Sequence, residues 1–171
     1  MKRTICIIFL CITLCGAAAL ADTPLPPMQY SIPVENGYIF LMNPDSSAAM
    51  PSGLYDPDNR PAYVLDEYFY QTEILLAADG MSFVSIPWAL SDNGEALAFY
   101  DSGKKIASYN VLDLLTDPAK GDKTASHIFW EDSSARLYDA DANELHITAN
   151  CGTQYTFSLP SGALVRTVPA P

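Results

Sequence analysis

The chain has 171 residues with 20 acidic and 9 basic side chains, a formal net charge of −11. Such a surface repels phosphate backbones and anionic lipid headgroups, so nucleic acid is excluded as a partner. The length suits one domain with a sizeable core.

Residues 1–21 have the three parts of a secretory signal peptide. Lys2 and Arg3 form the positive start, Thr4 to Leu14 the apolar run, and Ala17-Ala18-Ala19-Leu20-Ala21 the small residues before a cleavage site at Asp22. The rival readings are a membrane anchor and lipidation at Cys15. The apolar run is short for a span, and Leu14 stands before Cys15 where a small residue is expected. Cleavage implies export to a bacterial periplasm or the extracellular space, with no membrane span left. It removes Cys6, Cys11 and Cys15, leaving Cys151 unable to form an internal disulfide. Seven basic residues then face twenty acidic ones, a net of −13.

Residues 22–36 carry Pro24, Pro26, Pro27 and Pro33 and no apolar period, which predicts an extended tether. A single domain is expected over 37–166, with a trailing tail at 167–171. Gly37 to Met42 reads as a first strand, and Gly53 to Tyr55 and Ala62 to Leu65 as strands around a loop at Asp56 to Pro61. Asp66 to Tyr70 reads as a strand with Tyr68 and Tyr70 on one face. Two tandem hairpins follow between Glu73 and Tyr109. Asp79-Gly80 suits a two-residue turn in the first, and Asp101-Ser102-Gly103 a three-residue turn in the second. Asn110 can cap one short helix reaching Leu115, ended by Asp117-Pro118. His127 to Trp130 is a further strand. Arg136 to Tyr138 pairs with Glu144 to Thr148, which turns at Asn150-Cys151-Gly152 into Gln154 to Leu159; Ala163 to Val165 follows. About ten short strands with one helix give an all-β class: antiparallel hairpins in a partial propeller-like or a sandwich-like arrangement. Leu54-Tyr55-Asp56-Pro57-Asp58 returns as Leu137-Tyr138-Asp139-Ala140-Asp141, which fits either an internal duplication or shared turn chemistry.

Leu75 to Val84, with Asp79-Gly80 at its turn, resembles the strand-turn-strand of TolB-type and WD40-like β-propeller blades, with Ala77-Ala78 where that family has Ser-Pro. Tyr155 to Val165 is similar to the closing strand of a blade. Pro87-Trp88-Ala89, Ala98-Phe99-Tyr100 with Gly103-Lys104, and Ser126-His127 with Trp130 also resemble a group of uncharacterised exported bacterial proteins. At about forty residues per blade the chain holds three or four, which implies a partial propeller and no catalytic residues.

Asp139, Asp141 and Asn143 have the alternating oxygens of a calcium loop, so calcium is the candidate ion. Glu144 and Asn150 stand where glycine and a bidentate Glu are expected, and an acidic hairpin turn accounts for the same residues. Asp56, Asp58 and Asn59 form a similar cluster. Cys151 with His127 or His146 could form a thiol and base, but no motif orients the imidazole. No nucleophile elbow, zinc-protease helix or phosphate loop occurs. Tyr68, Tyr70, Trp88 and Tyr100 cluster around the central hairpins as a candidate binding face, and the same rings suit a core. The expected function is a non-enzymatic binding module for a protein or an envelope component. The alternatives are a carboxylate-dependent hydrolase of carbohydrate and a calcium-stabilised structural module.

Overall fold

Strand order follows chain order in three successive four-stranded antiparallel sheets, each a meander. The computed structural model describes residues 26–88, 90–91, 93–124 and 127–171; the expected signal segment, the first residues of the tether, Ala89 and Ser126 lie outside them. Sheet I contains β1 (Tyr30–Pro33), β2 (Ile39–Met42), β3 (Gly53–Tyr55) and β4 (Pro61–Val64). Sheet II contains β5 (Thr72–Leu76), β6 (Ser82–Pro87), β7 (Glu95–Asp101) and β8 (Lys104–Asn110). An insertion then carries α1 (Val111–Leu114) and a two-stranded ribbon of β9 (Asp122–Lys123) and β10 (Ile128–Phe129). Sheet III closes the chain with β11 (Leu137–Asp139), β12 (Glu144–Thr148), β13 (Gln154–Ser158) and β14 (Leu164–Val168). The all-β class with one short helix is what the turn chemistry implied, and no sheet among the described residues closes into a barrel.

Sheet II is buried on both faces. Phe83, Ala98 and Tyr100 join a core with Phe40, Met42, Leu54 and Tyr63 of sheet I. Val84, Ile86, Leu97 and Phe99 join a second core with Leu145, Ile147, Tyr155 and Phe157 of sheet III. Alternate residues of a strand face opposite sides, so β6 and β7 must be apolar at nearly every position to serve both cores. Phe83 and Tyr100 are directly opposed across the β6–β7 ladder and stack at 4.6 Å with 1° between ring planes. Phe40 and Phe69 meet Phe83 edge-on at 5.2 and 5.8 Å. Each such pair adds about 0.5–1.5 kcal/mol to the burial of the rings.

Several boundaries differ from the sequence reading. Residues 30–33, read as tether, form β1 paired in register with β2, and Tyr30 and Ile32 pack against the first core. Pro33 is tolerated because β1 is an edge strand. The segment Asp66 to Tyr70 is a linker between sheets, not a strand, and only Phe69 of its three rings is buried. The Asp79-Gly80 turn is longer than two residues: Ala77 and Ser82 close the ladder, and Asp79 accepts the Met81 amide at 3.0 Å. The next turn is shorter than expected, with Ser102 and Gly103 both left-handed (φ 48° and 78°), as a two-residue hairpin requires. β14 extends to Val168, into the expected tail. Leu54-Tyr55 ends the third strand of sheet I, whereas Leu137-Tyr138 lies in the first strand of sheet III. The repeated pentapeptide therefore marks the same turn chemistry at two non-equivalent places. Asp56 accepts the amides of Asp58 and Arg60, and Asp139 those of Asp141 and Ala142.

Sheet III is locked onto sheet II at the β13–β14 turn. Gly162 has φ 64°, its carbonyl accepts the Tyr109 hydroxyl at 2.9 Å, and an added Cβ would lie 2.6 Å from Ala107 Cβ and 2.8 Å from Phe99 Cβ. Gly162→Ala is expected to destabilise the protein by about 2–4 kcal/mol in urea melts, through left-handed strain and overlap together. A change under about 0.5 kcal/mol would show that this turn is free to move. Tyr30 tests the opposite sign. Its hydroxyl is buried without a hydrogen-bond partner among the described residues, and burial, with the Tyr68 phenol beside it, pushes its pKa up to about 12. Tyr30→Phe should leave stability unchanged or raise it by about 1 kcal/mol. A clear loss would mean the hydroxyl is satisfied.

Candidate functional site: an aromatic cavity over a buried Glu–Arg–Glu network

The insertion between sheets II and III contributes to a cavity at their junction. β10 is held on one side by the Ile128 amide, which donates to Leu90 O at 2.9 Å. On the other, the Asn150 amide donates to Trp130 O at 2.9 Å and its side-chain Nδ2 to Phe129 O at 2.8 Å. Alternation along this short strand sends Ile128 and Trp130 into the core and leaves Phe129 45% exposed. Opposite it, β6 ends at Pro87, and the Trp88 amide donates to Gln71 O at 3.1 Å. Trp88 is thereby presented with 66% of its surface exposed.

Trp88, Pro87, Phe129 and Trp130 line a cavity of about 370 Å³, and Glu73, Glu131 and Arg136 form its polar wall. Glu73 comes from β5, Glu131 follows β10, and Arg136 precedes β11. Arg136 donates through Nη2 to Glu131 Oε1 at 2.5 Å and through Nε to Glu131 Oε2 at 3.2 Å, a two-point fork. Its Nη1 donates to Glu73 Oε2. The Arg136 and Glu131 side chains are both buried, whereas Glu73 keeps 42% of its side chain in solvent. Burial pushes the Glu131 carboxyl above the usual carboxylate range, and the Arg136 guanidinium opposes that rise. Both oxygens of Glu131 accept from one guanidinium, and the side chain is buried, so this carboxylate is committed to Arg136. The network suits holding and orienting better than acid–base chemistry.

Only Trp88 of the four expected aromatic residues lies here. Tyr100 is 2% exposed, stacked in the first core with its hydroxyl donating to Glu67 Oε2 at 3.2 Å. Period-2 alternation turns it inward, because β7 supplies both cores. Tyr68 is half-buried, and its hydroxyl donates to Met28 O at 2.7 Å and accepts the Met28 amide at 3.1 Å, pinning the N-terminal segment. Tyr70 is exposed in the linker before β5. The four rings do not form one face, because Tyr68 and Tyr70 are not in a strand.

In the acidic hairpin, Asp139 and Asn143 hold the turn while Asp141 is exposed. Asp139 Oδ1 accepts two backbone amides, and Asn143 Oδ1 accepts the Tyr138 hydroxyl at 3.0 Å. Among the described residues no three His, Cys, Asp or Glu side chains are grouped to hold a metal ion. Cys151 is buried and bonded to the Thr116 and Thr153 hydroxyls at 3.5 and 3.4 Å. Burial pushes its thiol up, and those hydroxyl contacts outweigh it to bring the pKa down to about 7. His146 bonds instead to Thr156 at 3.1 Å, so no cysteine–imidazole pair forms with it.

In the sequence Glu73, Phe129 and Arg136 read only as strand residues, and neither their spacing nor that of Glu131 marks a shared site. Glu131 and Arg136 are five residues apart, a spacing with no regular meaning outside a helix. Glu73 is 63 residues from Arg136. The one local sign was a charged residue opening the apolar run Ile74-Leu75-Leu76.

The chain matches no protein-family model and none of the curated proteins it was compared with.

The two components of the site should separate in stability measurements. Arg136→Ala strands a buried carboxylate and is expected to cost about 3–5 kcal/mol. Trp88→Ala removes an exposed ring and should change stability by less than about 0.5 kcal/mol. Equal losses in thermal and urea melts would place Trp88 in the structural scaffold.

Proposed function

We propose that this chain is an exported, non-enzymatic all-β binding module whose recognition surface is the cavity under Trp88 and Phe129. The observation that carries the reading is the pair of exposed rings set over the Glu73–Arg136–Glu131 network. A monomeric surface has no folding reason to present a tryptophan two-thirds exposed beside a second exposed ring. The polar groups below them are fixed in advance by one another, which lowers the ordering cost of binding. Export is supported by the positive start, apolar run and small-residue end of 1–21. The propeller-like reading is supported by three consecutive four-stranded meanders packed face to face. The partner is a protein or an envelope component. A hydrolase reading is less favoured because Glu131 is occupied at both oxygens.

A panel of short peptides and oligosaccharides titrated into the ¹⁵N-labelled protein tests this. At least one member is expected to shift the Trp88 indole N–H saturably, and Trp88→Ala should weaken that binding while the melt stays unchanged. No shift across the panel would overturn the assignment of the site. Shortening of an oligosaccharide by the wild-type protein would overturn the non-enzymatic reading.

A further inference from the structure

Resting on that reading, we propose that the cavity takes a cationic side chain, the lysine or arginine of a basic partner protein, between the Trp88 ring and the free oxygen of Glu73. Three observations converge on a cation. Glu73 spends only Oε2 on Arg136; Oε1 makes no hydrogen bond among the described residues, and the side chain remains 42% exposed beside the rings. A solvent-facing carboxylate oxygen next to an exposed indole is the pairing a cation satisfies twice, by a charge-assisted hydrogen bond and by the negative face of the ring.

The local charge has the right sign. Arg136 offsets one of the two carboxylates it bridges, and Asp132 follows Glu131 directly. Hydrogen bonds from the Ser134 hydroxyl and amide hold the Asp132 carboxyl below the usual range, so it stays ionised. Asp122 is directly opposed to Phe129 across the β9–β10 ladder and shares its side of the ribbon. Within the cavity wall itself Glu73 and Glu131 outnumber Arg136, so the wall is net negative beside the two rings.

The chain as a whole has the same sign, with a net charge of −11, and so draws basic partners from a distance and repels acidic ones. A cavity of about 370 Å³ admits one long side chain or one sugar ring, not a folded surface. A sugar would use the rings and the polar wall but would gain nothing from the excess negative charge.

The test uses an acetylated, amidated trilysine peptide, its trialanine and triglutamate counterparts, and chitotriose, each titrated into the protein while the Trp88 indole N–H is followed. Trilysine is expected to bind roughly tenfold or more tighter than trialanine, with triglutamate inert. Glu73→Gln should weaken trilysine about tenfold, because the amide oxygen still accepts from Arg136 while the site loses its charge. Trp88→Ala should weaken it similarly, and raising salt from about 0.05 to 0.5 M should weaken wild-type binding further. Trilysine binding that survives both substitutions unchanged would be diffuse attraction to an acidic surface, and would overturn the inference. A Trp88 shift with chitotriose and none with trilysine would overturn it too, while leaving the cavity as the binding site. Silence with every probe would remove both.

Discussion

The stacked pair of Phe83 and Tyr100, and the burial of their sheet on both faces, is the constraint on which the rest of the molecule depends. A four-stranded meander alone has one face to hide and four strands with which to do it. Sheet II hides two, one against sheet I and one against sheet III. Its inner strands β6 and β7 are consequently buried at almost every residue, and the flanking sheets gain their cores only by docking on it. Among the described residues Cys151 forms no disulfide, and this double burial is what joins the three sheets.

The insertion at 111–136 exploits the junction between sheets II and III. α1 is short, capped by the Asp113 carboxylate accepting the Asn110 amide at 2.8 Å, and anchored by the Tyr155 hydroxyl donating to Leu114 O at 2.7 Å. Val111 and Leu114 fill the second core, so the segment is fastened at its start. At its other end the ribbon and Arg136 are fastened by backbone bonds to Leu90 and Asn150 and by ion pairs to Glu73 and Glu131. What lies between these anchors is free to present Phe129, and the end of β6 presents Trp88. The cavity is thus a by-product of how two sheets are joined.

The electrostatics divide in the same way. A set of aspartates is spent on turns, where Asp45, Asp56, Asp79, Asp117, Asp132 and Asp139 each accept a backbone amide from two residues on. They fix loop geometry and make the surface acidic. Arg136 is different. It is buried, bridges two sequence-distant carboxylates and ties sheet II to the insertion. Removing it strands charge, whereas Trp88 is two-thirds exposed and makes no such pair.

The residues by themselves determined the strand class and most turns, because these rest on neighbours in the chain. Asn110 capping a short helix, Arg136 to Tyr138 pairing with Glu144 to Thr148, and the turn at Asn150-Cys151-Gly152 were all legible from local preference. Net charge came from composition. Legibility failed where a residue's fate depended on a partner far along the chain. Proline content marked 22–36 as tether, but pairing of Tyr30–Pro33 with β2 is a tertiary gain. A tyrosine count cannot tell Tyr100 in a core from Trp88 at a cavity, because strand face is decided by which sheet docks on it. Glu73 and Arg136 meet only after two sheets and an insertion have packed. Short-range forces wrote the elements into the sequence; the site exists only through long-range burial and charge pairing, which local patterns do not encode.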